Sequence, residues 1–165
     1  MNLHLGYLPG CIGRIAQLHA EFYSAATGFG VDFEAKVAKG LSDFCLSHVE
    51  GRDALWLVTD GPRIEGSIAI DGSDAAGQGA HLRWFITSDQ TRGTGMGTQL
   101  LSAALAFCAS KSYPKVYLWT FDELPAARHL YEKHGFRVAR TQRGTQWGRE
   151  VNEQLYVRTD VSRFA

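Results

Sequence analysis

What this sequence lacks narrows its class before any motif is read. It has no excess of charge: 17 Lys and Arg stand against 17 Asp and Glu, for a formal net charge of zero. Such a balance supplies no overall field to hold nucleic acid or an anionic membrane, so neither is expected as a partner. Cysteine is scarce, with only Cys11, Cys45 and Cys108, odd in number and far apart. They show no disulfide framework and no metal-ligand spacing; no metal is expected, and free thiols suit a reducing cytoplasm. There is no apolar run long enough to span a bilayer and no recognisable leader peptide, so a cytoplasmic protein is expected. No repeat, linker or low-complexity tract divides the 165 residues, and one domain over 1–165 is expected. With 45% hydrophobic and 21% charged residues, the composition is that of a globular chain with a sizeable core.

What is present reads as alternating elements. Asn2–Leu8 has the pattern of a short strand ended by Pro9-Gly10. Ile12, Ile15, Ala16, His19, Phe22 and Tyr23 form a helical stripe that Gly28 and Gly30 terminate. Asp32 stands where an N-cap would open a second helix carrying Phe33, Val37, Leu41, Phe44 and His48 on one face. Leu55–Val58 and Ile64–Ile70 flank Asp60-Gly61-Pro62 as an antiparallel hairpin. Ala80–Thr87 is a strand, and a helix follows it to about Lys111. Lys115–Phe121 is apolar on both faces, as a central strand requires. Pro125 sits in the first turn of a helix bearing Ala127, Leu130, Tyr131 and His134, which Gly135 ends. Phe136–Thr141 and Val151–Thr159 are the last strands, separated by a polar loop, Arg143–Arg149, that carries Trp147. The order β-α-α-β-β-β-α-β-α-β-β predicts a mixed α/β fold, a single sheet flanked by helices.

The chemistry concentrates at the end of the Ala80–Thr87 strand. Arg92-Gly93-Thr94-Gly95-Met96-Gly97 places three glycines at alternate positions immediately before a helical stripe of Leu100, Leu101, Ala104, Leu105 and Cys108. Glycine permits backbone conformations closed to other residues and close approach of a ligand. The amides at a helix start then face outward at its positive end, which is a site for phosphate. The structural alternative is a plain tight turn between strand and helix.

Two motifs in order carry a resemblance. Arg92-Gly93-Thr94-Gly95-Met96-Gly97 resembles the Gln/Arg-x-x-Gly-x-Gly/Ala pyrophosphate signature of the GNAT N-acetyltransferase superfamily, and Ala127-Arg128-His129-Leu130-Tyr131-Glu132-Lys133-His134-Gly135-Phe136 resembles its Ala-x-x-Leu-Tyr-x-x-x-Gly-Phe helix. Leu82–Phe85, Leu118–Glu123 and Gln146–Glu150 are similar to GNAT domains fused behind MarR-type regulators. The resemblance implies acetyl-CoA as co-substrate, an amine of a small molecule or protein as acceptor, and direct attack in a ternary complex. It implies cofactor contacts from Phe85, Ile86 and Thr87, from Arg92, Gly93, Thr94, Gly95, Met96, Gly97 and Thr98, and from Ala127 and Tyr131. Tyr131 would be the general acid for the leaving thiolate, with Asp122 or Glu123 as candidate base. By the same topology Tyr23, Trp147 and Glu153 would border the acceptor. A homodimer is common among relatives, but no interface is readable. Leu124 replaces an Asn that the family often has, and Asp89 a Pro.

Read without that context, Tyr131 is a core aromatic and Asp122-Glu123 a solvated pair; His19, His48, His81, His129 and His134 show no metal arrangement and read as surface or core residues. Other phosphate-binding classes fit less well. A dinucleotide fingerprint needs glycine where Thr98 stands, and a Walker loop needs Gly-Lys-Ser/Thr, which is absent. A catalytically silent acyl-CoA sensor or partner-binding module is the remaining alternative.

Overall fold

The computed structural model describes residues 1–159. Seven strands form one sheet in the order β1-β2-β3-β4-β5-β7-β6. They are β1 (Asn2–Leu5), β2 (Ala54–Asp60), β3 (Arg63–Asp71), β4 (Ala80–Thr87), β5 (Lys115–Phe121), β6 (Arg137–Gly144) and β7 (Val151–Thr159). Only the β4–β5 pair is parallel. Helices α1 (Cys11–Thr27) and α2 (Val31–Leu46) cover one face; α3 (Met96–Ser110) and α4 (Pro125–Lys133) cover the other.

Side-chain alternation along the strands explains the two layers. On β2, Trp56 and Val58 pack with α3, whereas Leu55 and Leu57 pack with α1 and α2. β3 divides likewise, Ile68 and Ile70 to one side and Ile64 and Ala69 to the other. The helices meet these faces with their own apolar stripes: Ile15, Phe33, Val37 and Leu41 on one side, and Leu100, Leu101, Ala104 and Cys108 on the other.

The expected element order holds, with a short 3-10 turn (Asp89–Thr91) added before α3. Three local expectations are corrected. The first strand stops at Leu5 because Gly6 turns the chain with φ 103°. Asp32 is not the N-cap of α2; Gly30 holds that place without a side-chain cap, and Asp32 lies in the first turn, where its charge still favours the helix dipole. The sixth strand starts one residue later than expected and runs on to Gly144, because Gln142, Arg143 and Gly144 pair with β7.

β4 departs most from regular geometry. Ala69 pairs with Arg83 but Ser67 pairs with Ile86, so β4 has one residue more than β3 across this interval. The extra residue is accommodated at Trp84, which takes φ 47°, a costly region for an aromatic side chain. Ser67 Oγ donates to the Trp84 carbonyl at 2.6 Å and holds the bulge. The consequence is a change of face: Ala80 and Leu82 point to α3, whereas Trp84 and Ile86 pack with α1 and α2.

Candidate active site

The bulge coincides with an opening in the sheet. β4 and β5 pair only at Ala80–Val116 and His81–Tyr117, then diverge. Beyond that point β4 continues to pair with β3 through Ile86 and Thr87, and β5 with β7 as far as Phe121. The facing edges of β4 and β5 are therefore left with backbone groups that the ladder does not use. Inside a fold such groups need another partner, which an extended ligand can supply.

The start of α3 lies at the C-terminal end of β4. Gly95 caps the helix with φ 79° and Gly93 has φ 75°, both left-handed conformations that strain any other residue. Gln99 is the first residue here whose amide finds a helical acceptor, the Gly95 carbonyl at 3.0 Å. The amides of Met96, Gly97 and Thr98 remain for an external anion, as helix geometry dictates. A Cβ on Gly93 or Gly95 would meet no atom within 4 Å, so the approach is open. Arg92 is held against Asp89 at 2.7 Å, so the acid standing where the family often has Pro organises the turn. Thr94 Oγ1 donates to Thr91 O at 2.6 Å. Met96 is buried in the core, and Ala127 packs against it. An anionic, extended cofactor such as acetyl-CoA fits both features, the open amides for phosphate and the open strand edges for a linear arm.

Between the diverging strands, α1, α2 and residues 146–147 lies a cavity of about 160 Å³. Tyr131 of α4 lines it; its ring packs near Phe85, Phe136 and Tyr156 at 6.2, 5.9 and 5.8 Å. Burial, with smaller contributions from Tyr23 and Tyr156, pushes the Tyr131 phenol far above its ordinary pKa. It holds its proton throughout the physiological range. Tyr23 stacks among Phe29, Phe33 and Phe121, and burial raises its phenol to about 12. Trp147 also lines the cavity, 5.5 Å from Phe121 and 6.4 Å from Phe29.

Other expected site residues lie elsewhere. Asp122 and Glu123 follow directly on Phe121 but do not line the cavity. Asp122 accepts from Asn152 Nδ2 at 2.8 Å, and Glu123 pairs with Arg149 in an exposed contact. Glu153 is 2% exposed and accepts from Gln142 Nε2, Gln146 Nε2 and the Gln146 amide, so it anchors residues 145–150 and does not face the cavity. Leu124, in place of the frequent Asn, packs with the α1–α2 layer.

Four cavity residues carry chemistry that spacing alone did not flag: His19, His81, Arg83 and Lys36. His19 Nδ1 lies 2.8 Å from the Ile15 carbonyl. A carbonyl only accepts, so Nδ1 carries the proton and Nε2 the lone pair when the ring is neutral. Burial, opposed by that hydrogen bond, lowers His19 to about 4. His81 stacks on Tyr117 at 4.4 Å and is lowered to about 3 by burial and by Arg83. The only sequence signal for His19 was its place on the apolar stripe of α1, which reads as core. Among the described residues, no group of three or more His, Cys, Asp or Glu is arranged to hold a metal, and no helix is long and apolar enough to cross a membrane.

A mixed sheet opened between two parallel strands, beside a helix start with free amides, defines the class: a CoA-dependent acyltransferase fold. The chain belongs to the acetyltransferase (GNAT) family, whose model matches residues 14–136. It is 34% identical over 82 residues to a mycothiol acetyltransferase from Acidothermus cellulolyticus; the match covers 50% of this chain and 23% of that protein, so the chain spans about a quarter of the relative's length. Among solved structures it resembles a GNAT-family acetyltransferase from Staphylococcus aureus (TM-score 0.74, 15% identity, 96% and 99% of the two chains covered). It also resembles a spermidine N-acetyltransferase variant from Vibrio cholerae (TM-score 0.70, 18% identity, 99% and 97% covered). At these identities the structural likeness speaks for the fold.

Proposed function

We propose that the protein transfers an acetyl group from acetyl-CoA to a primary amine by direct attack in a ternary complex. The observation that carries this reading is the β4–β5 opening with the protonated Tyr131 inside it. Acetyl-CoA supplies an activated thioester. The free amides of Met96, Gly97 and Thr98 hold its pyrophosphate at the end of the Arg92–Gly95 turn; the free edge of β4 at Phe85–Thr87 orients its arm. Amide donors on that edge face the carbonyl on which negative charge develops. The amine nitrogen bonds to the carbonyl carbon, the C–S bond breaks, and Tyr131 gives its phenolic proton to the departing sulfur.

The proton lost by the amine needs an acceptor within the cavity. Neither Asp122 nor Glu123 is there, and His19 is. Its neutral ring offers Nε2 as acceptor, and because burial lowers its pKa it hands that proton on, through solvent in the cavity, to the phenolate left on Tyr131, whose burial favours the protonated form. A second reading, a silent acyl-CoA sensor, is favoured by one observation: no carboxylate of the described residues lines the cavity. The similarity of Leu82–Phe85, Leu118–Glu123 and Gln146–Glu150 to domains fused behind MarR-type regulators would suit that reading; operation in the cytoplasm and as a homodimer is proposed with either.

The test is thiol release from acetyl-CoA across a panel of amines, for the wild type and Tyr131→Phe. Transfer predicts amine-dependent release that falls roughly 100-fold in Tyr131→Phe. Acetyl-CoA binding without amine-dependent release in the wild type would favour the sensor.

A further inference from the structure

Arg83 belongs to a segment whose chemistry the acetyl-transfer reading leaves unused. Its guanidinium is half-buried and lines the cavity, yet it makes no hydrogen bond and no ion pair with any described residue. It lies over the indole of Trp84, 4.1 Å from the ring centroid. α2 makes room for this arrangement at Gly40, where a Cβ would stand 3.2 Å from Arg83 Nη2 and 3.3 Å from Trp84. The bulge in β4 is what turns Trp84 toward α2, beside Arg83, so a strained backbone serves to present a cation. Burial lowers the Arg83 pKa, with only Asp71 and Tyr117 opposing it at longer range. Holding an unpaired cation in such surroundings costs free energy that an anion would recover.

The rest of the cavity points the same way. The second cation on its wall is Lys36, whose Nζ donates to the Gln146 carbonyl at 3.0 Å. Among the described residues no Asp or Glu lines it; the nearby Glu153 carboxylate accepts from Gln142 and Gln146 and acts on Lys36 only through its charge. His19 and His81 stay neutral and add no charge at pH 7. The remaining walls are aromatic, chiefly Tyr23, Phe33, Phe121 and Trp147. A polyamine would bring several positive charges to a lining that holds two cations and, among the described residues, no acid. An acceptor with one carboxylate and an apolar body meets every surface.

We infer that the acceptor is an amine bearing a carboxylate on an apolar or aromatic body, of the amino-acid class, and that Arg83 is its carboxylate clamp. The planar fork of a guanidinium matches a carboxylate through two parallel hydrogen bonds, which an ammonium cannot do. This inference rests on the acetyl-transfer reading for its kinetic form but not for its binding form.

The experiment uses matched acceptors that differ only in the carboxylate: L-tryptophan against tryptamine, and L-phenylalanine against phenethylamine, with spermidine as the polycation. Thiol release should give a kcat/KM at least 50-fold higher for the carboxylated member of a pair, with spermidine poorest. Arg83→Gln should collapse that ratio to within about threefold, chiefly through KM, and Arg83→Lys should restore only part of it. Preference for the decarboxylated amine or for spermidine, or an equal loss on both members of a pair in Arg83→Gln, overturns the assignment. Calorimetric titration of the same pairs into the CoA-saturated protein reads the clamp without turnover. Tighter binding of the carboxylated member, lost in Arg83→Gln, supports the clamp even where no thiol is released, an outcome that would remove the transfer reading alone. Binding that ignores the carboxylate, or no binding of either member, overturns the clamp.

Discussion

At the scale of single residues, burial sets the protonation states of this site. His19 has a pKa of about 4 in the fold and an ordinary one near 6.5 when unfolded. Between those values the unfolded chain takes up a proton that the native state refuses. Stability from this group is therefore full above pH 6.5 and is lost as pH falls toward 4, at about 1.4 kcal/mol per pH unit. From pH 7 to 5 the expected loss is about 2 kcal/mol for His19, with a similar share from His81, whose folded value is about 3. Urea unfolding at the two pH values checks this. His19→Gln should shrink the loss by about 2 kcal/mol; an unchanged pH dependence would mean that His19 titrates as an exposed histidine. Tyr131 was legible in the sequence through its motif, whereas His19 and Arg83 were not. A histidine on an apolar helix stripe and an arginine in a strand have many uses, and only the neighbours decide among them.

At the scale of elements, the start of α3 makes a separable prediction. Gly95 has φ 79°, so any side chain there costs about 1–2 kcal/mol of backbone strain, although the space beside it is open. Gly95→Ala and Gly95→Glu share that strain, and only the second sets a carboxylate beside the helix-start amides. Both variants should lose similar stability on heating, while Gly95→Glu alone should lose at least 100-fold in acetyl-CoA affinity by calorimetry. Equal affinities would remove the phosphate role of this turn. Helices and strands were legible here from periodicity, and most boundaries fell within a residue or two. The misplaced N-cap shows the limit of local signals: Asp32 has the side chain for a cap, but the chain enters α2 from Gly30, so Asp32 is already helical. The bulge in β4 was invisible because burial still alternates along the strand. What changes is which face is buried, and composition does not record that.

At the scale of the whole molecule, the two sheet faces and the opening between β4 and β5 act together, so ligand binding should be felt as global stability. Acetyl-CoA at about a hundred times its dissociation constant adds roughly 2.7 kcal/mol. For a chain of this size that corresponds to a rise in Tm of about 8 °C. Differential scanning fluorimetry with acetyl-CoA, and with NAD and ATP for comparison, checks it: a rise with acetyl-CoA alone is expected, and a rise with NAD alone would revive the dinucleotide class. The sequence by itself determined the order of elements, the glycine turn and the tyrosine helix, because hydrophobic period and backbone permission are local properties. Tertiary structure decided the rest. It left β4 and β5 paired at two positions only, buried Glu153 among glutamines, kept Asp122 and Glu123 out of the cavity, and brought Arg83 of β4 together with Lys36 of α2 and His19 of α1. These residues are distant in the chain, and their charge and protonation depend on which surfaces exclude water from them, a property of the packed molecule that no single segment carries.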